Sequence, residues 1–302
     1  MQSNLTYPDW IAVDWGTSNL RVWAMTAEGE ILAENASDQG MSTVAPDEFE
    51  VTLLSHIAPW LGNPNTPVIA CGMVGARQGW VEAPYRAVPT TPVGDIFQVP
   101  CKDSRISMHI LPGLKQERSV DVMRGEETQI AGYLTDNPEF DGILCLPGTH
   151  TKWAHISAGE VVSFQTFMTG ELFDLLSHQS VLRHSIGEGG GLDQEAFAGA
   201  IGDTISRPEA VATQLFKIRA VDLVHGAHAS VSRARLSGIL LGLELAAARP
   251  YWLGQSVALI GPPALNALYE TALLAQGVAP TLHDMENITL KGLTAAYKSL
   301  GQ

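Results

Sequence analysis

Trp10-Ile-Ala-Val-Asp-Trp-Gly-Thr-Ser-Asn-Leu-Arg-Val-Trp-Ala-Met25 is the stretch on which the reading of the chain turns. Two runs of apolar, β-prone residues, Ile11 to Val13 and Leu20 to Met25, flank a polar turn with a glycine in it, which is the pattern of a hairpin. Leu20, Val22 and Ala24 alternate with Arg21, Trp23 and Met25, the two-residue period of a strand. The turn carries more chemistry than a hairpin needs. Asp14 closes the first strand, Gly16 lets the backbone approach a ligand, and Thr17, Ser18 and Asn19 offer hydroxyl, amide and backbone donors. Such a turn can cradle phosphate oxygens through its N–H groups while Asp14 holds a hydrated Mg²⁺.

A second copy follows. Ile143-Leu-Cys-Leu-Pro-Gly-Thr-His-Thr-Lys-Trp-Ala-His155 again runs from an apolar strand through Gly-Thr and two polar residues into a strand that begins with a basic residue. Gly16-Thr17 matches Gly148-Thr149, one pair in each half of the chain. Two such turns suggest two similar domains facing one another across a nucleotide, a layout that resembles the sugar kinase, Hsp70 and actin superfamily. No G-x-x-x-x-G-K-[ST] run occurs, and no G-x-G-x-x-G follows a strand, so neither the P-loop nor the dinucleotide fingerprint is present.

Composition narrows the classes. At 302 residues the chain has length for two domains on a prior of roughly 150 residues each. No apolar run reaches the ~18 residues of a membrane span, and no signal-type segment follows Met1. Cys71, Cys101 and Cys145 stand far apart with no C-x-x-C pair, as in a protein of a reducing cytoplasm. A formal charge of −14 argues against nucleic acid as partner. An acidic protein that binds a polyanion must gather its cations locally. Arg21, Arg124 and Lys152 all lie inside the polar motifs, although Lys and Arg total only 18.

The spacing predicts a third strand at Gly29 to Ala33, a helix over Pro46 to Leu61, strands at Pro67 to Cys71 and Met108 to Leu111, and an irregular connection from Pro89 to Pro100. Between them, Gly72-Met73-Val-Gly75 and the loop through Gly79, Trp80 and Tyr85 sit beyond a strand end, where α/β sheets bind ligands. Asp121-Val-Met-Arg-Gly-Glu-Glu-Thr-Gln-Ile opens a helix. Its paired acids suit the helix dipole, and equally a general base. Glu126 and Glu127 point about 100° apart, so one of the two faces a site.

In the second half, Thr169-Gly-Glu begins a helix, Gly187 to Gly191 reads as a flexible break, and helices follow at Asp193 to Ile205, Pro208 to Val224 and Ala234 to Arg249. A strand at Val257 to Gly261 leads into a helix from Ala264 to Gln276, and a last helix spans Asn287 to Leu300. His225 and His228 lack a carboxylate or Cys set that would complete a metal site.

Taken together, Asp14-Trp-Gly-Thr-Ser-Asn-Leu-Arg21, Gly72-Met-Val-Gly75, Met123-Arg-Gly-Glu-Glu-Thr-Gln129, Leu146-Pro-Gly-Thr-His-Thr-Lys-Trp153 and Thr169-Gly-Glu-Leu172 resemble the 2-dehydro-3-deoxygalactonokinase family. The resemblance implies an α/β fold of two ribonuclease H-like, actin-like ATPase domains across a nucleotide cleft, residues 1–125 and 126–302, with the last helix packed back on the first. It implies ATP-dependent phosphorylation of the 6-hydroxyl of 2-dehydro-3-deoxy-D-galactonate in galactonate breakdown, with ATP and Mg²⁺. Glu127 occupies the place of the superfamily's catalytic acid, with Glu126 the other candidate and Asp14 the metal carboxylate, acting through water. Nucleotide contacts are expected from Asp14, Gly16, Thr17, Ser18, Asn19, Arg21, Gly148, Thr149, His150, Thr151, Lys152 and Gly261. Prolines stand after Gly261 where the superfamily usually has paired glycines. Substrate contacts are expected from Gly72, Met73, Gly75, Trp80, Tyr85, Arg124 and Thr169, with the forked Arg124 on the substrate carboxylate. The partner is a small sugar acid, with no nucleic acid and no membrane, and a homo-oligomer is compatible with the reading. The alternatives are a kinase of another sugar acid, an actin- or Hsp70-like ATPase, and a sugar-sensing protein. The chain lacks a separate peptide-binding domain, filament insertions and a basic DNA-binding module.

Overall fold

The computed structural model describes residues 7–62, 64–187 and 191–301. They group into two compact units, one from the described residues of 1–140, 156–163 and 285–302, the other from 141–155 and 164–284. The break expected at 187–191 lies largely outside the described residues.

The first unit opens with β1 (Trp10–Trp15), antiparallel to β2 (Leu20–Met25), which pairs in turn with β3 (Ile31–Ser37). Alternate residues of these strands enter two different cores. Ile11, Val13, Trp15 and Val22 pack with Phe49, Leu53 and Ile57 of α1 (Phe49–Ile57), while Trp10, Ala12, Trp23 and Met25 pack with Leu290, Leu293 and Ala296 of the last helix. Helices on both faces explain why β1 is apolar almost throughout instead of alternating with polar residues. β4 (Thr66–Gly72) lies parallel to β1, followed by β5 (Arg86–Ala87), β6 (Phe97–Val99) and β7 (Ile106–Ile110), the last parallel to β4. β8 (Leu114–Gln116) and β9 (Asp121–Met123) form a small sheet with β5, and α2 (Glu126–Asp136) follows. The large sheet runs β3-β2-β1-β4-β7-β6.

Two expectations need correction here. The helix expected over 46–61 is shorter, because Pro59 interrupts it and residues Ala58–Trp60 form a 3₁₀ turn. The Pro-rich run 89–100 is not wholly irregular: β6 pairs antiparallel with β7 at the sheet edge, where flanking prolines are tolerated.

The second unit contains β10 (Gly142–Leu146) and the parts of β11 (Thr151–Ser157) and β12 (Glu160–Phe167) outside residues 156–163, which group with the first unit, then α3 (Thr169–His178), α4 (Arg183–Ile186), α5 (Gln194–Ser206), α6 (Val211–His225) and α7 (Ala229–Ala247). After α8 (Arg249–Trp252) come β13 (Val257–Gly261), α9 (Pro263–Leu274) and β14 (Thr281–Asp284). The sheet runs β12-β11-β10-β13-β14, with β10, β13 and β14 parallel. By order of appearance both large sheets read third, second, first, fourth, fifth, the ribonuclease H-like order, with β6 added at one edge of the first. α7 begins five residues before the expected Ala234, because the His228 ring accepts the Ser230 N–H and caps it.

The chain closes with α10 (Met285–Ser299), which packs on α2, β1 and β4 in the first unit. Its crossing with α2 is backbone against backbone. A Cβ on Gly132 would lie 1.9 Å from the Ile288 carbonyl oxygen, and one on Gly292 would lie 2.0 Å from that of Thr128. α2 therefore groups with the first unit, and the boundary expected after residue 125 falls ahead of it. Among the described residues no helix is long and apolar enough to cross a membrane.

The two kinds of helical glycine respond oppositely to alanine. Gly132→Ala should destabilise by about 1–3 kcal/mol through overpacking. Gly199, with nothing within 4 Å of its would-be Cβ, should gain roughly 0.5–1 kcal/mol as alanine. Urea unfolding of both variants reads the difference, and equal effects would contradict the tight crossing.

Candidate functional site

In the first unit the Gly16 N–H donates to the Asn19 carbonyl at 2.9 Å and closes the first turn. A segment with no motif of its own supports it. Met41 N–H donates to Gly16 O and Ser42 N–H to Thr17 O, and a Cβ on Gly40 would meet Ser18 backbone at 2.2 Å. Thr17, Ser18 and Asn19 stay exposed. Asp14 is held by Arg21 at 2.6 Å, and Arg21 also lies 3.8 Å from Glu286 and 5.7 Å from the centre of the Trp23 ring. The Cys71 thiol, at the end of β4, points to Asp14 Oδ1 at 3.8 Å.

Two glycines bring α2 to this place. Gly72 has φ of +89°, and a Cβ there would lie 2.7 Å from the Trp15 carbonyl. Gly125, with φ of +106°, has its would-be Cβ 3.4 Å from Gly72 Cα. Both conformations are ones that L side chains rarely adopt. The start of α2 thereby sits against the ends of β1 and β4.

Glu127 is fully buried. Its carboxyl accepts the Gly125 N–H at 2.7 Å and the Thr128 hydroxyl at 3.2 Å. Burial, with the neighbouring charge of Glu126 adding to it, pushes its pKa up to about 8. Glu126 is partly exposed and accepts the Arg124 N–H at 3.0 Å. Arg124 is buried, with its guanidinium 4.3 Å from the centre of the Tyr85 ring and one Nη2–H donated to the Ala83 carbonyl at 2.8 Å. Its Nε and Nη1 have no hydrogen-bond partner. Gly75 permits this stacking, since a Cβ there would come 2.9 Å from Nη1. Met73 and Gly75 bound a 3₁₀ turn, and Trp80 stacks on Phe49 at 6.5 Å between ring centres, at the edge of the core.

In the second unit a cavity of about 600 Å³ lies beside the second turn. Gly148, Thr149, Thr169 and Glu171 border it on one side. Arg233, Ser237, Leu240, Leu265, Leu268 and Tyr269 come from α7 and α9, and sequence reading named none of them as site residues. α7 reads as a core helix because its apolar side dominates. Its role could be found only by knowing which face borders the turn. Gly261 does not line the cavity; its carbonyl accepts Asn266 Nδ2–H at 3.0 Å.

The other expected residues of this turn face elsewhere. His150 pairs with Glu171 at 2.5 Å, and Lys152 Nζ donates to the His150 carbonyl at 3.1 Å. Thr151 is buried, 2.8 Å from the Tyr269 hydroxyl, and its oxygen accepts the Gly148 N–H at 3.4 Å. The Thr169 hydroxyl donates to Glu244. Among the described residues no group of three or more His, Cys, Asp or Glu side chains could hold a metal ion by itself.

Comparison with known proteins agrees with these motifs. Residues 14–296 match the model of the family described as 2-keto-3-deoxy-galactonokinase. The chain is 40% identical over 297 residues to the Rhizobium meliloti (strain 1021) protein named "Probable 2-dehydro-3-deoxygalactonokinase DgoK1", covering 96% of each. It is 32% identical over 285 residues to the 2-dehydro-3-deoxygalactonokinase of Escherichia coli (strain K12), covering 89% of this chain and 90% of that one. A solved structure titled "Crystal structure of a putative 2-dehydro-3-deoxygalactonokinase protein from Sinorhizobium meliloti" superposes with a TM-score of 0.90 at 40% identity, over 96% of this chain and 99% of that one. With both Gly-Thr turns, the Arg-Gly-Glu-Glu-Thr-Gln helix start and nearly the whole length matched, the chain belongs to the 2-keto-3-deoxy-galactonokinase family.

Proposed function

We propose that this protein transfers the γ-phosphoryl group of ATP to the 6-hydroxyl of 2-dehydro-3-deoxy-D-galactonate, giving 2-dehydro-3-deoxy-6-phosphogalactonate and ADP in galactonate breakdown. The observation that carries the reading is the start of α2. There a buried guanidinium with two unused donors, Arg124, stands three residues before a carboxyl raised to about 8, Glu127. A buried cation with unmatched N–H groups is costly unless an anion completes it. The substrate carboxylate is such an anion, and the guanidinium fork suits it. Both nitrogens are closed off in the loop as it stands, so the segment from Met73 to Tyr85 shifts as the acid enters.

Glu127 then accepts the 6-hydroxyl proton as that oxygen attacks the γ-phosphorus, and the bond to the β–γ bridging oxygen breaks with ADP as leaving group. Its raised pKa suits a base that works near neutral pH. The cavity beside α7 and α9 takes the adenosine, with apolar walls from Leu240, Leu265 and Leu268. The Gly16-Thr17 and Gly148-Thr149 turns offer backbone N–H groups to the phosphates. A single carboxylate near phosphate is the usual protein share of a Mg²⁺ shell, and Asp14, bridged to Arg21, fits that outer position. When bound, Mg²⁺ neutralises charge on the phosphate oxygens. ATP as donor and three free cysteines, Cys71, Cys101 and Cys145, accord with a cytoplasmic enzyme.

The direct test is ADP release in a coupled assay with 2-dehydro-3-deoxy-galactonate, its C4 epimer, gluconate and glucose. Release that requires a keto-deoxy acid is expected. Release that is independent of any sugar acid would favour an ATPase instead, and equal turnover of glucose would overturn the carboxylate pocket.

Two variants test the roles. Glu127→Gln should lower kcat by about 10²–10⁴ while leaving both binding constants near normal. In the wild type, kcat/KM should rise with pH until about 8, where the Glu127 carboxyl loses its proton, and the variant should lose that limb. Full activity in Glu127→Gln with loss in Glu126→Gln would move the base to Glu126. Arg124→Lys keeps the charge but not the fork, and should raise KM for the acid by about 10–10² with little change for ATP. An unchanged acid KM would leave Arg124 as a clamp on the Ala83–Tyr85 loop.

A further inference from the structure

One buried acid has no part in that mechanism. Glu244, in the middle of α7, is 2% exposed. Its Oε1 accepts the Trp153 indole N–H at 2.8 Å, and its Oε2 accepts hydroxyl protons from Tyr269, at 2.9 Å, and from Thr169. β11, α3 and α9 thus converge on one carboxylate. Glu244 itself does not border the cavity, whereas Thr169 and Tyr269 do. Burying a carboxylate costs several kcal/mol that an apolar residue of similar size would not incur, so packing alone does not account for it.

The donors give the arrangement a direction. Trp153 can only donate. Tyr269 spends its one proton on Glu244, so the 2.8 Å contact between Tyr269 and Thr151 must be donated by Thr151. That leaves the Thr151 oxygen as acceptor for the Gly148 N–H. With the Glu244 carboxyl ionised, as it is above about pH 7, the hydrogen-bond chain runs from Gly148 through Thr151 and Tyr269 to Glu244. A second link reaches the same turn. The Glu171 N–H donates to the Thr149 carbonyl at 3.0 Å, and a Cβ on Gly170 would lie 2.4 Å from the Gly148 carbonyl oxygen. Any shift of the α3 N-terminus, which Thr169 ties to Glu244, is passed to Gly148-Thr149.

We propose that Glu244 is a positioning residue for the nucleotide: through Tyr269 and Thr151, and through Thr169, it sets the conformation in which the Gly148-Thr149 turn receives the phosphates. The inference rests on reading that turn and its cavity as the nucleotide site. Glu244→Gln changes shape least and chemistry most. The amide oxygen must face Trp153, so the amide nitrogen faces Tyr269 and Thr169 and donates to them. The chain then reverses, Tyr269 donates to Thr151, and the Thr151 proton competes with the Gly148 N–H.

Calorimetric titration with MgADP and, separately, with 2-dehydro-3-deoxy-galactonate tests this on the full-length protein. Glu244→Gln should weaken MgADP binding about tenfold or more and leave acid binding within about twofold. Thr151 is fully buried and supplies a second pair: Thr151→Val should weaken MgADP binding similarly, while Thr151→Ser, which keeps the hydroxyl, should restore it. If Glu244→Gln fails to fold, the Thr151 pair decides alone. Unchanged MgADP affinity in the folded variants overturns the proposal, as does equal weakening of both ligands, which marks a general structural role. A wild-type protein that binds no MgADP overturns the nucleotide reading itself, a result separable from the others.

Discussion

The Glu127 carboxyl is held out of water between the ends of β1 and β4 and the first turn of α2, and much of the first unit serves to keep it there. Four glycines make the confinement possible. Gly72 and Gly125 let a strand end and a helix start meet without side chains between them, and both need positive φ to do so. Gly132 and Gly292 let α2 lie on α10 with backbones in contact, which sets the register of the helix that presents the acid. The consequence is electrostatic. A carboxyl without solvent, beside the charge of Glu126, holds its proton to about pH 8, well above its ordinary range.

The second unit repeats the sheet order and a buried acid with a different purpose. Glu244 has three donors aimed at it, and they moderate the effect of burial, so its pKa is raised only to about 7. Glu127 has the Gly125 N–H, its own N–H and the Thr128 hydroxyl, and there the charge of Glu126 adds to the effect of burial. In the first unit the proposed use of the carboxyl is to take a proton from a substrate. In the second it is to orient hydroxyls around a turn. Arg124 stands beside the first, with two donors that the protein leaves unmatched. An ordinary salt bridge would have closed that guanidinium off from any ligand.

The fold was legible because its signal is local. Trp10–Met25 and Ile143–His155 each contain strand, turn and strand in one short window, and the repeat of Gly-Thr pointed to two similar halves. Two short edge strands were not legible: β6 and β14 are three and four residues long, and they exist through main-chain pairing with β7 and β13. The candidate acids of α2 were visible as a pair, but their separation into a buried and a partly exposed member depends on the α10 crossing, which is far away in sequence. Glu244 was invisible for the same reason. Its partners Trp153, Thr169 and Tyr269 are 91, 75 and 25 residues away, and in the sequence it looks like the one charge in the apolar run from Leu236 to Ala248. Thr151 and Lys152 were recognised as part of a motif, yet their side chains turn under it or back along it, which spacing alone cannot convey.

The confinement of Glu127 shows most directly in its protonation, which can be observed without turnover. Carbon-13 NMR of protein labelled at glutamate Cδ, followed from pH 5 to 9.5 in wild type and Glu127→Gln, isolates its resonance. One carboxyl should titrate near pH 8 in the wild type and be missing from the variant. A Glu127 resonance already ionised at pH 6 would contradict it, because the acid would then be solvated or paired and not confined as described.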